Sequence, residues 1–261
     1  MKLLIINPNT TQAMTDSIAE TAERAARPGT EIEAVSPPWG PASIEGHAEE
    51  ELAAVATLQL VAERASEFDG VAIACYGDPG LYAARELSPV PVVGIAEASM
   101  LAACTVAHTF SIVTVLDRTA PLISDVVRRY GLESRCASVC TTGLAVLDIE
   151  RDPAAAERAI IAESSLALEE DGAEAICLGC AGMGPLDRAV AAALDGVPVL
   201  DGVATAVKAL EGLVDLGLGT SRRAAFQAPA PKELIGDEPL LESFRPYLGG
   251  VRPGAGKAAS V

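Results

Sequence analysis

The sequence predicts an α/β protein of two pseudo-symmetric lobes, each a mostly parallel sheet flanked by helices, with the functional site in the cleft between them. Three observations carry this. Apolar strand-like runs alternate with helix-like stretches along most of the 261 residues, the pattern of a parallel sheet covered on both faces. The order then repeats: Asn7 to Cys75 spans 68 positions and Thr114 to Cys180 spans 66, while Cys75 to Pro91 spans 16 and Cys180 to Pro198 spans 18. Finally, two runs end alike, Val71-Ala72-Ile73-Ala74-Cys75-Tyr76-Gly77-Asp78-Pro79-Gly80 and Ala175-Ile176-Cys177-Leu178-Gly179-Cys180-Ala181-Gly182-Met183-Gly184. Each closes on a cysteine and enters a glycine-rich turn at the sheet edge where open α/β folds bind ligands.

The elements follow in order. Lys2 to Ile6 is a short buried strand, and Asn7 to Thr11 a polar loop in which Thr10 or Thr11 can cap a helix running to about Ala26. Glu31 to Ser36 is a strand, Pro37 to Gly46 a Pro/Gly-rich connection, and Glu49 to Glu67 a helix by its apolar spacing. Gly70 to Ala74 and Val90 to Gly94 are strands around a short helix, Leu81 to Leu87. In the second half, Phe110 to Val115, Ser134 to Cys140, Glu174 to Leu178 and Val197 to Leu200 are strands. Helices run to Tyr130, over Ala154 to Glu170 and over Val203 to Leu216, the last returning to the first lobe. The first lobe is therefore assigned residues 1–98 and 205–261, and the second residues 99–204. In the tail, Leu240, Leu241 and Phe244 are expected to dock, and the end after Val251 to be loose.

Half of the residues are apolar but only 3% are aromatic, so Ala, Val, Leu and Ile must fill the core. A net charge of −17 without a basic stripe argues against a nucleic-acid partner. No run reaches the ~18 apolar residues of a membrane span. The opening apolar run stops at Asn7-Pro8-Asn9, too short for a signal peptide. A cytoplasmic protein with reduced cysteines is expected.

Cys75 and Cys180 are the candidate catalytic residues. Should the two lobes face each other, so do these thiols, and a pair on opposite faces of one carbon can remove a proton from one side and return one to the other. That is racemisation or a related isomerisation without a cofactor. A thiolate can act as base when oriented amides or a helix start lower its pKa, and glycines such as Gly77 and Gly182 let such amides approach. Cys104, Cys136, Cys140 and Cys177 read as core residues. Cys177 with Cys180, and Cys136 with Cys140, lie on strands rather than the tight knuckles of a zinc site, so no metal is expected. Neither His47 nor His108 accompanies a nucleophile motif, and no dinucleotide or Walker loop follows the first strand. Asn7-Pro8-Asn9-Thr10 reads either as an ordinary capped turn or as amides and a hydroxyl that grip substrate carbonyls.

These residues resemble the hydantoin racemase family within the Asp/Glu racemase superfamily. The resemblance rests on Ile6-Asn7-Pro8-Asn9-Thr10-Thr11, Ser43-Ile44-Glu45-Gly46, the Cys75 block with Ala84-Arg85-Glu86, Pro91-Val92-Val93-Gly94-Ile95-Ala96-Glu97-Ala98 and the Cys180 block, and covers most of Met1 to about Leu216. It implies two α/β lobes, no metal or organic cofactor, and a two-base exchange by Cys75 and Cys180 on a 5-substituted hydantoin or allantoin. It also implies a small-molecule substrate as partner and a homo-oligomer. Asn7, Thr10, Gly77, Asp78, Thr114, Ala181 and Gly182 are the substrate-binding candidates, although Asp78 before Pro79 can instead fix its own turn. Tyr76 and Ala181 replace the polar residue that follows the cysteine in glutamate and aspartate racemases, which favours a neutral cyclic diamide over an amino acid. Aryl-malonate-type decarboxylases keep only the second cysteine, so Cys75 argues against that activity. The competing readings are a maleate-type cis–trans isomerase, an amino-acid racemase, and a non-catalytic small-molecule binding protein.

Overall fold

The computed structural model describes residues 1–235 and residue 242; the expectations for Leu240, Leu241, Phe244 and the end after Val251 lie outside them. The first half runs β1 (Lys2–Ile6), α1 (Gln12–Ala25), β2 (Glu31–Val35), α2 (His47–Arg64), β3 (Gly70–Ile73), α3 (Leu81–Leu87), β4 (Val92–Gly94) and α4 (Ile95–Val106). The second runs β5 (Phe110–Thr114), α5 (Ala120–Arg129), β6 (Cys136–Thr141), α6 (Asp148–Arg151), α7 (Pro153–Glu170), β7 (Ile176–Leu178), α8 (Asp187–Ala193), β8 (Val199–Leu200) and α9 (Gly202–Asp215). Each half builds one four-stranded parallel sheet, in the orders β2-β1-β3-β4 and β6-β5-β7-β8. The two orders are the same, so the repeat in the sequence is a repeat of topology.

Strand alternation explains the layers. Leu3 and Ile5 point to one face of the first sheet and join a core that continues through α1, α4 and α9 into the second lobe. Leu4 and Ile6 point to the other face and pack with Leu60, Val61, Leu81 and Ala84 of α2 and α3. Helix α9 packs on α1, α4, β3 and β4, which places the chain's return over the first lobe. Apolar area removed from water contributes about 25 cal/mol per Å². Here that area comes from many small aliphatic side chains.

The strand order fixes where a ligand can sit. From β1 the chain crosses one way to β2, and β3 continues the other way to β4, so the carboxyl ends of β1 and β3 flank a crevice. Asn7 to Asn9 leave β1 there and Cys75 leaves β3. In the second sheet Thr114 ends β5 and Cys180 follows β7.

The structure departs from the sequence expectations in its helices. The short helices α6 and α8 are absent from the elements expected above, and so is the longer α4. Its residues Ile95, Ala96, Ala98, Ser99, Met100 and Ala103 are buried, and a helix with so broad an apolar surface shows no polar face to betray its period. Thr11 stands at the start of α1 but makes no cap; its hydroxyl donates to Ala42 O at 2.7 Å, and the Thr10 hydroxyl to Pro41 O at 3.3 Å. The two threonines tie down the loop over residues 37–46 instead. Among the described residues, no helix is long and apolar enough to cross a membrane, and no group of three or more His, Cys, Asp or Glu residues could hold a metal ion.

Candidate active site

Cys75 and Cys180 line one cavity between the lobes, with about 570 Å³ of open space counted out to its mouth. Its floor comes from the two cysteine turns, Ala74 to Gly77 and Gly179 to Ala181, with Asn9, Met14 and Thr114 beside them. Its walls come from Ile44, Glu45, Gly46 and Glu50 on one side and Thr119, Leu122, Ile123 and Val146 on the other.

The turns hold the two sulfurs in matching ways. The backbone N–H of Gly77 donates to the Cys75 sulfur, and that of Gly182 to the Cys180 sulfur. Each bond comes from two residues downstream, and each favours the thiolate. Burial opposes it and wins: the Cys75 thiol is pushed up to about 12 and the Cys180 thiol to about 11. Each of these groups therefore rests as a thiol near neutral pH, and each makes a strong base once deprotonated.

Carboxylates are the other feature of the walls. Glu50, in the first turn of α2, overhangs the Cys75 turn, its Oε1 2.8 Å from where a Cβ on Gly77 would stand. Burial raises its pKa. Glu45 Oε1 accepts the N–H of Val146 from the opposite lobe at 2.8 Å. The described residues lining the cavity include no Lys, Arg or His. Arg118 lies against Gly46 but is exposed. Arg85 is committed to Glu97 and to Val92 O, and Arg188 is exposed.

Of the sequence candidates, Cys75, Gly77, Thr114, Cys180 and Ala181 are brought together around the cavity. Thr114 is buried, and its hydroxyl donates to Gly179 O at 3.0 Å. Gly182 lies just behind, holding the Cys180 sulfur. Asn7 and Thr10 are not in the lining. The Asn7 amide donates to Asn9 Oδ1 and Thr15 Oγ1, both at 3.0 Å, and its oxygen accepts the Asn9 N–H at 3.3 Å. Its polar atoms are spent on the turn after β1, and Asn9 faces the cavity in its place. Asp78 is fully buried away from the cavity, accepting hydrogen bonds from the start of α4. Glu45, Glu50, Met14, Leu122, Ile123 and Val146 also line the cavity and are not among the sequence candidates. Only Glu45, inside Ser43-Ile44-Glu45-Gly46, lay in a segment already singled out. Cys177 is buried off the cavity, and Tyr76 donates to or accepts from Ser99 at 2.8 Å in the core.

Two matching cysteine turns face one cavity between two sheets of the same strand order. The family model described as Asp/Glu/Hydantoin racemase matches residues 3–210, and the chain belongs to that family; it is an isomerase, a racemase. It is 47% identical to a hydantoin racemase from Pseudomonas sp. (strain NS671), over 94% of this chain and 97% of that protein. The fold matches allantoin racemase from Klebsiella pneumoniae with a TM-score of 0.88 and 46% identity, covering 91% of this chain and 97% of that one. The allantoin racemase from Pseudomonas fluorescens gives a TM-score of 0.88 and 47% identity, over 90% of this chain and 100% of that one.

Proposed function

We propose that this racemase inverts the ring stereocentre of a neutral cyclic ureide, a 5-substituted hydantoin or allantoin, with Cys75 and Cys180 as the two bases. One observation carries the reading: both thiols face a single cavity whose described lining holds two carboxylates and no cationic side chain. A dicarboxylate or an amino-acid carboxylate entering it would meet Glu45 and Glu50 with no cationic side chain in the described lining to offset the repulsion. A hydantoin carries ring N–H donors and no charge, and its N–H groups can donate to carboxylates.

The reacting carbon lies between a carbonyl and a ring nitrogen, so its proton is weakly acidic. One cysteine, as thiolate, removes that proton; the electron pair moves into the adjacent carbonyl as an enolate. The other cysteine, as thiol, returns a proton to the opposite face. The protonation states of the two sulfurs are then exchanged, and the enzyme is ready for the mirror-image substrate. A high thiol pKa makes each thiolate a stronger base toward a carbon acid and a scarcer one near neutral pH.

The same reading includes a homo-oligomer in a reducing, cytoplasmic compartment. A broad apolar groove between α4 and α9, bearing exposed Leu101 and Leu216, supports the first. Cysteines that are all unpaired support the second.

The deciding experiment is exchange in deuterated water with single enantiomers of 5-methylhydantoin, 5-benzylhydantoin and allantoin. Loss of optical rotation together with deuterium at the stereocentre is expected. No exchange with any of them would end the proposal.

A further inference from the structure

A buried carboxylate stands behind each cysteine turn, supplied from a different place in each lobe. In the first lobe it is Asp78, three residues past Cys75. Its Oδ1 accepts the Ala96 N–H at 3.1 Å, and its Oδ2 accepts the Glu97 N–H at 2.9 Å and the Tyr130 hydroxyl at 2.6 Å. Asp78 thereby joins the Cys75 turn to the first turn of α4. A Cβ on Gly94, the residue before α4, would stand 2.2 Å from the Asp78 Cγ, so only glycine leaves room for the carboxyl group.

In the second lobe the arrangement differs. Pro91-Val92-Val93-Gly94 corresponds to Pro198-Val199-Leu200-Asp201, so the carboxylate now stands where Gly94 stood. Asp201 Oδ1 accepts the Ala204 N–H at 2.7 Å at the start of α9. Its Oδ2 lies 3.0 Å from where a Cβ on Gly184 would be, against the turn that follows Cys180. The carboxylate comes from the cysteine turn in the first lobe and from the strand end in the second, where Met183 is the counterpart of Asp78, yet each lobe keeps one carboxylate filling the gap between its cysteine turn and the next helix start.

We propose that Asp78 and Asp201 are positioning residues, Asp78 for Cys75 and Asp201 for Cys180, each holding its sulfur at the depth from which it reaches the stereocentre. This rests on the two-cysteine reading above. Neither carboxylate lines the cavity, so neither touches substrate. Each acts on the thiol through the turn whose amide holds the sulfur. Tyr130 adds a tie across the lobes, since it ends α5, which carries Leu122 and Ile123 of the cavity wall. Asp201 lacks such a tie: among the described residues its Oδ2 has no hydrogen-bond partner, and neither has Thr21 Oγ1, which also lies 3.0 Å from the Gly184 Cβ position.

Asp78→Asn and Asp201→Asn test this. Asparagine keeps the size, tolerates the φ of 47° at Asp78, and caps a helix as well as aspartate does at Asp201. Melting temperatures establish that the variants fold. The kinetic readout is kcat, KM and the primary deuterium isotope effect, measured from each C5-deuterated enantiomer of allantoin or 5-methylhydantoin, whichever the parent turns over faster. A misplaced reacting group costs up to about 100-fold, so kcat is expected to fall about tenfold or more with KM within about threefold of the parent. Asp78→Asn should raise the isotope effect from one enantiomer and Asp201→Asn from the other, with Tyr130→Phe following Asp78→Asn more weakly. Isotope effects that rise equally from both enantiomers, rise from the same enantiomer in both variants, or match the parent overturn the proposal. Cys75→Ser and Cys180→Ser, run alongside, separate the two failures. If they retain racemisation, the two-cysteine reading falls; if they lose it while the asparagine variants behave as the parent, only the positioning role falls.

Discussion

Each thiol is governed by the contest between one amide and its own burial. The amide of Gly77 or Gly182 favours the thiolate, burial disfavours it more, and the thiols stand at about 12 and about 11. The proposed working form holds one thiolate and one thiol, and such a pair titrates as a unit. Below the first ionisation that form grows about tenfold per pH unit. We therefore expect kcat/KM for free enzyme to climb with pH from 7 through about 9; a plateau reached below pH 8 would show that the thiolate is far better stabilised than these turns allow. Replacing either cysteine by serine should reduce racemisation by at least about 100-fold, the lower end of what a positioned acid or base contributes, as read by polarimetry.

The strand-to-turn unit is the element on which the site is built. A Gly94→Ala substitution forces a methyl group into the Asp78 carboxyl, and a loss of about 1–3 kcal/mol is expected from such overpacking, measured by urea unfolding. The pH dependence of the Asp78→Asn variant has a definite sign. Burial holds the Asp78 carboxyl up at about 7 against an ordinary 3.8. The stability that its neutral form contributes is complete below the ordinary value and is lost as pH climbs through about 7, because the unfolded chain gives up that proton first. Asparagine cannot ionise, so the variant's deficit against the parent should shrink between pH 5 and pH 8.

The same unit explains what could be read from the chain itself. Cys75, Gly77, Thr114, Cys180 and Ala181 were legible because each lies at or just beyond a strand end, where local pattern alone sets position. Glu50 and Val146 were not, since they reach the cavity by the packing of α2 and of the loop after β6, which no local pattern encodes. Asn7 stands outside the lining for the opposite reason: a polar residue at the right strand end satisfies its own turn first. Asp78 packs against the start of α4, a buried helix with no polar face to announce it.

At the scale of the molecule, one topology used twice places two equivalent sulfurs around a shared cavity, and one continuous core welds the lobes through α4 and α9. Self-repulsion from a net charge of −17 works against compactness. Its screening length is about 30 Å at 0.01 M salt and about 3 Å at 1 M. The melting temperature is therefore expected to rise with sodium chloride over that range, as read by calorimetry; a fall would mean that ion pairs such as Arg64 with Glu33 outweigh the repulsion.

The bond from the Val146 amide to Glu45 joins the two sides of the chamber. Should that bridge close the way in, a ring has to part it on entry and again on leaving, and the doorway opens at least once per turnover whatever the speed of proton transfer. Egress rather than chemistry then sets the pace for a fast substrate, and adding a viscogen should slow the enzyme for its best ureide while leaving a sluggish one untouched.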